Sequence, residues 1–162
     1  MLSKEMEKRL NDQLREEFYS AWYYLSIAAW CDANDYPGGA HFFKKQYEEE
    51  VGHAMRIYHY LTEVDGKPVI PALDQPPAEF ESLQQVFEKA LEHEKHITRC
   101  ISELMDLAIK EKDHATAAFL QWYVNEQVEE EATMKNILAQ IRMVGTDSRG
   151  LFLVDRELAK RE

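Results

Sequence analysis

Cysteine is scarce in this chain. There are two among 162 residues, Cys31 and Cys100, with no Cys-x-x-Cys spacing and no framework for disulfides to staple. That scarcity, with no signal-peptide pattern in MLSKEMEKRL, predicts a reducing, cytoplasmic setting. Glycine and proline are also few, six and five, and 45% of residues are hydrophobic, which excludes a disordered chain. No apolar run approaches the ~18 to 20 residues of a membrane span, so no membrane partner is expected. Basic residues are outnumbered, 19 Lys and Arg against 30 Asp and Glu, for a net charge of −11. Nucleic acid, which needs a basic patch, is not an expected partner. The same imbalance suits a protein that draws in cations, and equally one that is merely soluble. The length predicts one domain, residues 1–162, with a sizeable core.

What the chain does have is helical periodicity. Leu10, Leu14, Glu17, Ala21, Tyr24 and Ala28 fall on one stripe. Phe43, Gln46, Glu50, His53, Ile57 and Leu61 form a second. Phe87, Ala90, Glu94, Ile97, Ile101, Leu104 and Ala108 form a third, and Leu120, Tyr123, Gln127, Glu130, Met134, Ile137 and Ile141 a fourth. Steps alternate between three and four residues, the pattern of a bundle core. The fold class is therefore all-α.

Caps and breakers set the expected bounds. Ser3 caps helix one, which ends near Asn34, before Tyr36-Pro37-Gly38-Gly39. Helix two runs from about Gly39 to Val64 and is stopped by Gly66. Ser82 with Gln85 makes a capping box for helix three, which ends near Lys112. Asp113 caps helix four and Gly145 closes it, so the bundle spans about 4–145. A short fifth helix, about 147–160, presents Leu151, Phe152, Val154 and Leu158 for docking. Helices one and two are tightly joined, as are three and four, so each pair is antiparallel. The link from Gly66 to Glu81, ~16 residues, can reach about 50 Å when extended. A helix of ~26 residues is about 39 Å long. The link is thus expected to cross the whole bundle and restart helix three at the opposite end.

Each stripe is interrupted near its middle by a carboxylate: Glu17, Glu50, Glu94 and Glu130. Glu50-Val51-Gly52-His53 is a Glu-x-x-His pair, which places both side chains on one helix face. An unpaired buried carboxylate costs several kcal/mol, and a metal ion would offset that cost. Mid-helix positions coincide whichever way helices run, so the four can meet at one level. The candidate ligands are Glu17, Glu50, His53, Glu94 and Glu130, with Glu50 bridging two metals. Four ionised glutamates balance two divalent cations. Hard oxygens with one imidazole suit iron or manganese better than copper. The remaining histidines, His41, His59, His93, His96 and His114, are expected at the surface, and Trp122 in packing.

The stretches NDQLREEFYSAWYYLS, EEEVGHA, LEHEKHIT and FLQWYVNEQVEEE resemble those of prokaryotic non-haem ferritins, over essentially the full length. The resemblance implies a ferritin-like four-helix bundle with one long crossover and a short fifth helix. It implies that Glu17, Glu50 and His53 bind one iron of a ferroxidase centre and that Glu50, Glu94 and Glu130 bind the second. Gln127 would hydrogen-bond the centre, and Tyr24 would be the aromatic residue beside it implicated in electron transfer. Glu49, Glu126 and Glu129 would form a third, inner-surface iron site, linked to the centre through Glu130. The implied activity is oxidation of Fe(II) by dioxygen or hydrogen peroxide, with storage as ferric oxyhydroxide in a homo-oligomeric shell of 24 subunits.

Rival readings meet departures in the sequence. A bacterioferritin would need a second Glu-x-x-His, where this chain has Gln127-Val128-Glu129-Glu130, and a haem-binding methionine where it has Gly52, so no haem is expected. A rubrerythrin-like peroxidase would carry a Cys-rich iron domain. The small DNA-protecting shells build their iron site between subunits, whereas these ligands lie in one chain. A purely structural bundle would have to tolerate the buried carboxylates unaided.

Overall fold

The computed structural model describes residues 2–162; Met1, the first residue of the expected 1–162 domain, lies outside them. Five helices follow in order: α1 (Lys4–Ala33), α2 (Pro37–Glu63), α3 (Leu83–Glu111), α4 (His114–Val144) and α5 (Ser148–Leu158). Their caps are those the sequence predicts. Ser3, Ser82 and Asp113 accept from the backbone N–H groups of Met6, Gln85 and Thr116. Gly145 closes α4 with φ of 60°, a conformation that favours glycine.

Two boundaries differ in detail from expectation. α2 starts at Pro37 rather than Gly39, because proline at the first helical position has the required φ and no N–H to orphan. At the other end, the left-handed residue is Asp65, with φ of 60°, and Gly66 donates its N–H to Leu61 O at 2.8 Å.

The Tyr36 side chain makes no cap for α2; that role falls to α5. Asp155 accepts from the N–H of Gly38 at 3.0 Å and of Gly39 at 2.8 Å, putting a carboxylate on the positive end of α2. The contact is so close that a Cβ on Gly38 would sit 1.7 Å from Asp155 O. Val154 and Leu158 are buried against the bundle, whereas Phe152 and Leu153 stay exposed.

α1 and α3 run antiparallel: Ser3 meets Glu111 at one end, and Ser20 meets His93 further along. The 64–82 link lies along α1. Val69 N–H donates to Asn11, and Ser26 donates to the Pro77 carbonyl, so the link ascends the helix from one end toward the other. This is the long crossover between two hairpins.

The core falls into two apolar clusters. One gathers Tyr24, Ile27, Phe43, Phe87, Met134 and Ile141 with the α5 residues Val154 and Leu158. The other gathers Leu10, Leu14, Ala54, Ile57, Ile97, Ile101 and Tyr123. No helix among the described residues is long and apolar enough to cross a membrane.

Candidate metal centre

A polar layer lies at the level where the two clusters meet. Glu17, Glu50, Glu94 and Glu130, one from each long helix, are no more than 5% exposed, and His53 is 6% exposed. Ligand atoms of Glu17, Glu50 and His53 lie within 4.8 Å of one another, and so do those of Glu50, Glu94 and Glu130. Glu50 belongs to both groups. His53 Nδ1 is 3.0 Å from Glu50 Oε2 and 3.8 Å from Glu17 Oε2, so this ring nitrogen faces the shared space. Its Nε2 faces the other way, 3.6 Å from Glu126 Oε1. His53, Glu126 and Glu130 form a further three-residue group.

Three of the four carboxylates accept from a buried glutamine. Gln13 Nε2 donates to Glu17 Oε1 at 2.7 Å, Gln46 Nε2 to Glu130 Oε2 at 3.0 Å, and Gln127 Nε2 to Glu94 Oε2 at 3.0 Å. The Tyr24 hydroxyl donates to the other oxygen of Glu94. Gln127 was expected here; Gln13 has no place among the sequence-predicted residues, and Gln46 had only a place on the stripe. The available signal is spacing: each stands four residues before a candidate glutamate, Glu17 and Glu50 respectively. Among the described residues, nothing donates to Glu17 Oε2, although it is buried. A buried carboxylate oxygen without a donor is costly unless a cation or proton meets it. The donor set fits a hard divalent metal.

Electrostatics say the same. Burial is the largest cause pushing Glu17 and Glu50 well above the ordinary carboxylate range; their carboxylate neighbours push further. Burial lifts Glu94 and Glu130 to about 7, against hydrogen bonds that pull them down. Burial raises Tyr24 strongly, and Glu94 beside it adds to that, so the phenol keeps its proton.

The expected inner residues are placed less compactly. Glu126 is half-buried beside His53, while Glu49 and Glu129 are exposed. Glu49 Oε2 is paired with Arg161 Nη2 at 2.8 Å. Trp122 packs edge-on against His53, with ring centroids 5.2 Å apart, and Arg56 lies 3.9 Å over its indole. Of the histidines expected at the surface, His59 and His114 are exposed, but His41, His93 and His96 are half-buried. His93 lies 2.7 Å from Ser20 Oγ, and burial lowers its pKa to about 4.

Residues 7–144 match the family model of the ferritin-like domain. The chain is 41% identical over 161 residues to a bacterial non-heme ferritin of Staphylococcus saprophyticus, covering 99% of this chain and 96% of that one. It is 42% identical over 156 residues to a bacterial non-heme ferritin of Campylobacter jejuni, covering 96% and 93%. The fold superposes with a TM-score of 0.99 on an open pore ferritin from the hyperthermophilic archaeon Archaeoglobus fulgidus, at 41% identity, covering 100% of this chain and 99% of that one.

Proposed function

The chain belongs to the ferritin family, and from that premise we propose that it stores iron, oxidising Fe(II) at the buried four-carboxylate centre. Residues 1–162 act as one ferritin-like domain. The observation that carries the reading is the sharing of Glu50 between two buried ligand groups. One Fe(II) is taken by Glu17, Glu50 and His53, the second by Glu50, Glu94 and Glu130. Four carboxylates of charge −1 neutralise two ions of charge +2, which makes burial of both tolerable. Binding displaces the protons that burial holds on these glutamates.

The surrounding residues position rather than react. Gln13, Gln46 and Gln127 each occupy one carboxylate oxygen, which fixes the orientation of Glu17, Glu130 and Glu94. His53 is held by its backbone carbonyl, which accepts from the Tyr123 hydroxyl at 2.6 Å. The two Fe(II) ions supply one electron each. Dioxygen accepts both, with two protons, to give hydrogen peroxide; peroxide accepts both, with two protons, to give two waters. Tyr24, hydrogen-bonded to Glu94, is the aromatic residue beside the pair that the family resemblance implicates in electron transfer. Glu126, Glu129 and Glu49 receive iron on its way to a ferric oxyhydroxide mineral. The storage space is a shell of 24 copies, whose charge of −11 per chain favours Fe(II) over anions.

Aerobic Fe(II) loading tests this directly. Retention of hundreds of soluble irons per assembly, with sedimentation as one large particle, is the expected result. Saturation at about two irons per chain would leave the di-iron centre and remove storage.

A further inference from the structure

Away from the four-carboxylate centre, one other group of described residues gathers three metal-ligating side chains. Glu16 on α1 meets His96 and Cys100 on α3, with ligand atoms within 4.8 Å of one another. We propose that Glu16, His96 and Cys100 form a separate cation site on the α1–α3 face, taking a thiophilic d10 divalent cation of the zinc type.

The three donors converge from two helices. His96 and Cys100 stand four residues apart, on one face of α3, and Glu16 reaches them from the neighbouring helix. Both contacts converge on a single atom: His96 Nε2 is 3.0 Å from Glu16 Oε2 and 3.6 Å from Cys100 Sγ. With Zn–N near 2.0 Å and Zn–S near 2.3 Å, the edges of a tetrahedron measure about 3.3 Å for N to O and about 3.5 Å for N to S. The two edges that meet at His96 Nε2 are therefore within a few tenths of an ångström of those lengths, and the Glu16 and Cys100 donors lie within 4.8 Å of each other. His96 also borders an open groove with Tyr19, Glu92, His93 and Arg99, so its side of the site is open to solvent.

Donor chemistry separates this site from the centre next door. Glu16 and Glu17 are adjacent in α1 but face different surroundings: Glu17 is 1% exposed, and Glu16 lies partly in solvent. The inner set is oxygen-rich and hard. The outer set offers one sulfur, one nitrogen and one oxygen, which selects zinc-like ions. One carboxylate and one thiolate neutralise a divalent ion. The cation takes the thiolate, and the thiol proton goes to solvent. Arg15 lies 3.9 Å from the opposite oxygen of Glu16, Oε1, and does not occupy the donor position.

The test uses Co(II) as a spectroscopic stand-in for zinc, added anaerobically to the full assembled protein. The expected result is a near-ultraviolet sulfur-to-cobalt charge-transfer band, which the oxygen-rich centre cannot produce. Zinc should bleach it. The band should vanish in Cys100→Ser and persist in Cys31→Ser and in Glu50→Ala, and His96→Gln should weaken cobalt affinity at least about tenfold. Unaltered iron oxidation by Cys100→Ser would show that this variant is folded. Absence of the band at cobalt saturation, or its survival in Cys100→Ser, would overturn the site and leave a plain Glu16–His96 hydrogen bond.

Discussion

The Tyr24 hydroxyl on α1 donates to Glu94 on α3, across the middle of the bundle. Gln127 holds the other oxygen of the same carboxylate at 3.0 Å. Both bonds lower the pKa of Glu94, which burial has raised to about 7. Tyr24→Phe removes one of them while keeping the ring packed near Phe43. Glu94 should then ionise at higher pH, and the pH midpoint for anaerobic divalent-metal binding should move upward. Calorimetric titrations across a range of about 5 to 8 would read it. An unmoved midpoint would detach Tyr24 from the ionisation of Glu94.

The metal-free protein should lose stability as pH rises toward neutrality. Glu94 and Glu130 go from an ordinary 4.5 to about 7 in the folded chain, and Glu17 and Glu50 are also raised. A raised folded-state value means that the folded chain binds more protons than the unfolded one. The contribution is fully present below about 4.5 and lost as pH climbs through about 7. Divalent metal replaces those protons, so its effect on Tm should be large above pH 7 and small near pH 5. Thermal melts of chelator-treated protein at the two ends would show it; equal metal effects at both would mean that the carboxylates are not where the ion binds.

The four long helices and the level of their carboxylates were legible in the sequence because both follow from local period. Heptad-like steps set which face is buried, and mid-helix position sets the height, independent of helix direction. What was not legible depends on long-range packing. Asp155 caps α2 from more than a hundred residues away, and nothing near it in sequence marks it as a cap. The half-burial of His93 and His96 follows from how closely α1 approaches α3, which periodicity does not fix. Gln13 lies in between: its spacing before Glu17 is visible, but its role requires knowing that Glu17 is buried.

Glu50→Ala should be the most damaging single change to activity. Its carboxylate is the member common to the groups Glu17–Glu50–His53 and Glu50–Glu94–Glu130, so both proposed iron positions lose a ligand at once. Initial Fe(II) oxidation should fall by about 100-fold or more. The bundle should survive, since removal of one buried carboxylate relieves repulsion on Glu94 and Glu130. Stopped-flow oxidation with circular dichroism as the folding control would test this. A near-normal initial rate would refute the bridging role.

Glu49 and Glu129 should act after the first oxidation, and Arg161 should compete with that step. Arg161 Nη2 is 2.8 Å from Glu49 Oε2, and its guanidinium lies 4.4 Å over Phe42, so the Glu49 carboxylate already has a positive partner. Glu49 is partly exposed, so the pair contributes at most about 1 kcal/mol, a factor of about five in cation affinity. Arg161→Ala should therefore strengthen the third position by up to about fivefold, while Glu129→Ala should weaken it. Neither residue touches the four buried glutamates, so the first burst of oxidation should keep its rate and amplitude in both variants. The difference should emerge over repeated additions of iron: slower regeneration and mineral growth in Glu129→Ala, and none of that loss in Arg161→Ala. If Glu129→Ala abolishes the first burst instead, Glu129 belongs to the di-iron centre and not to an exit from it.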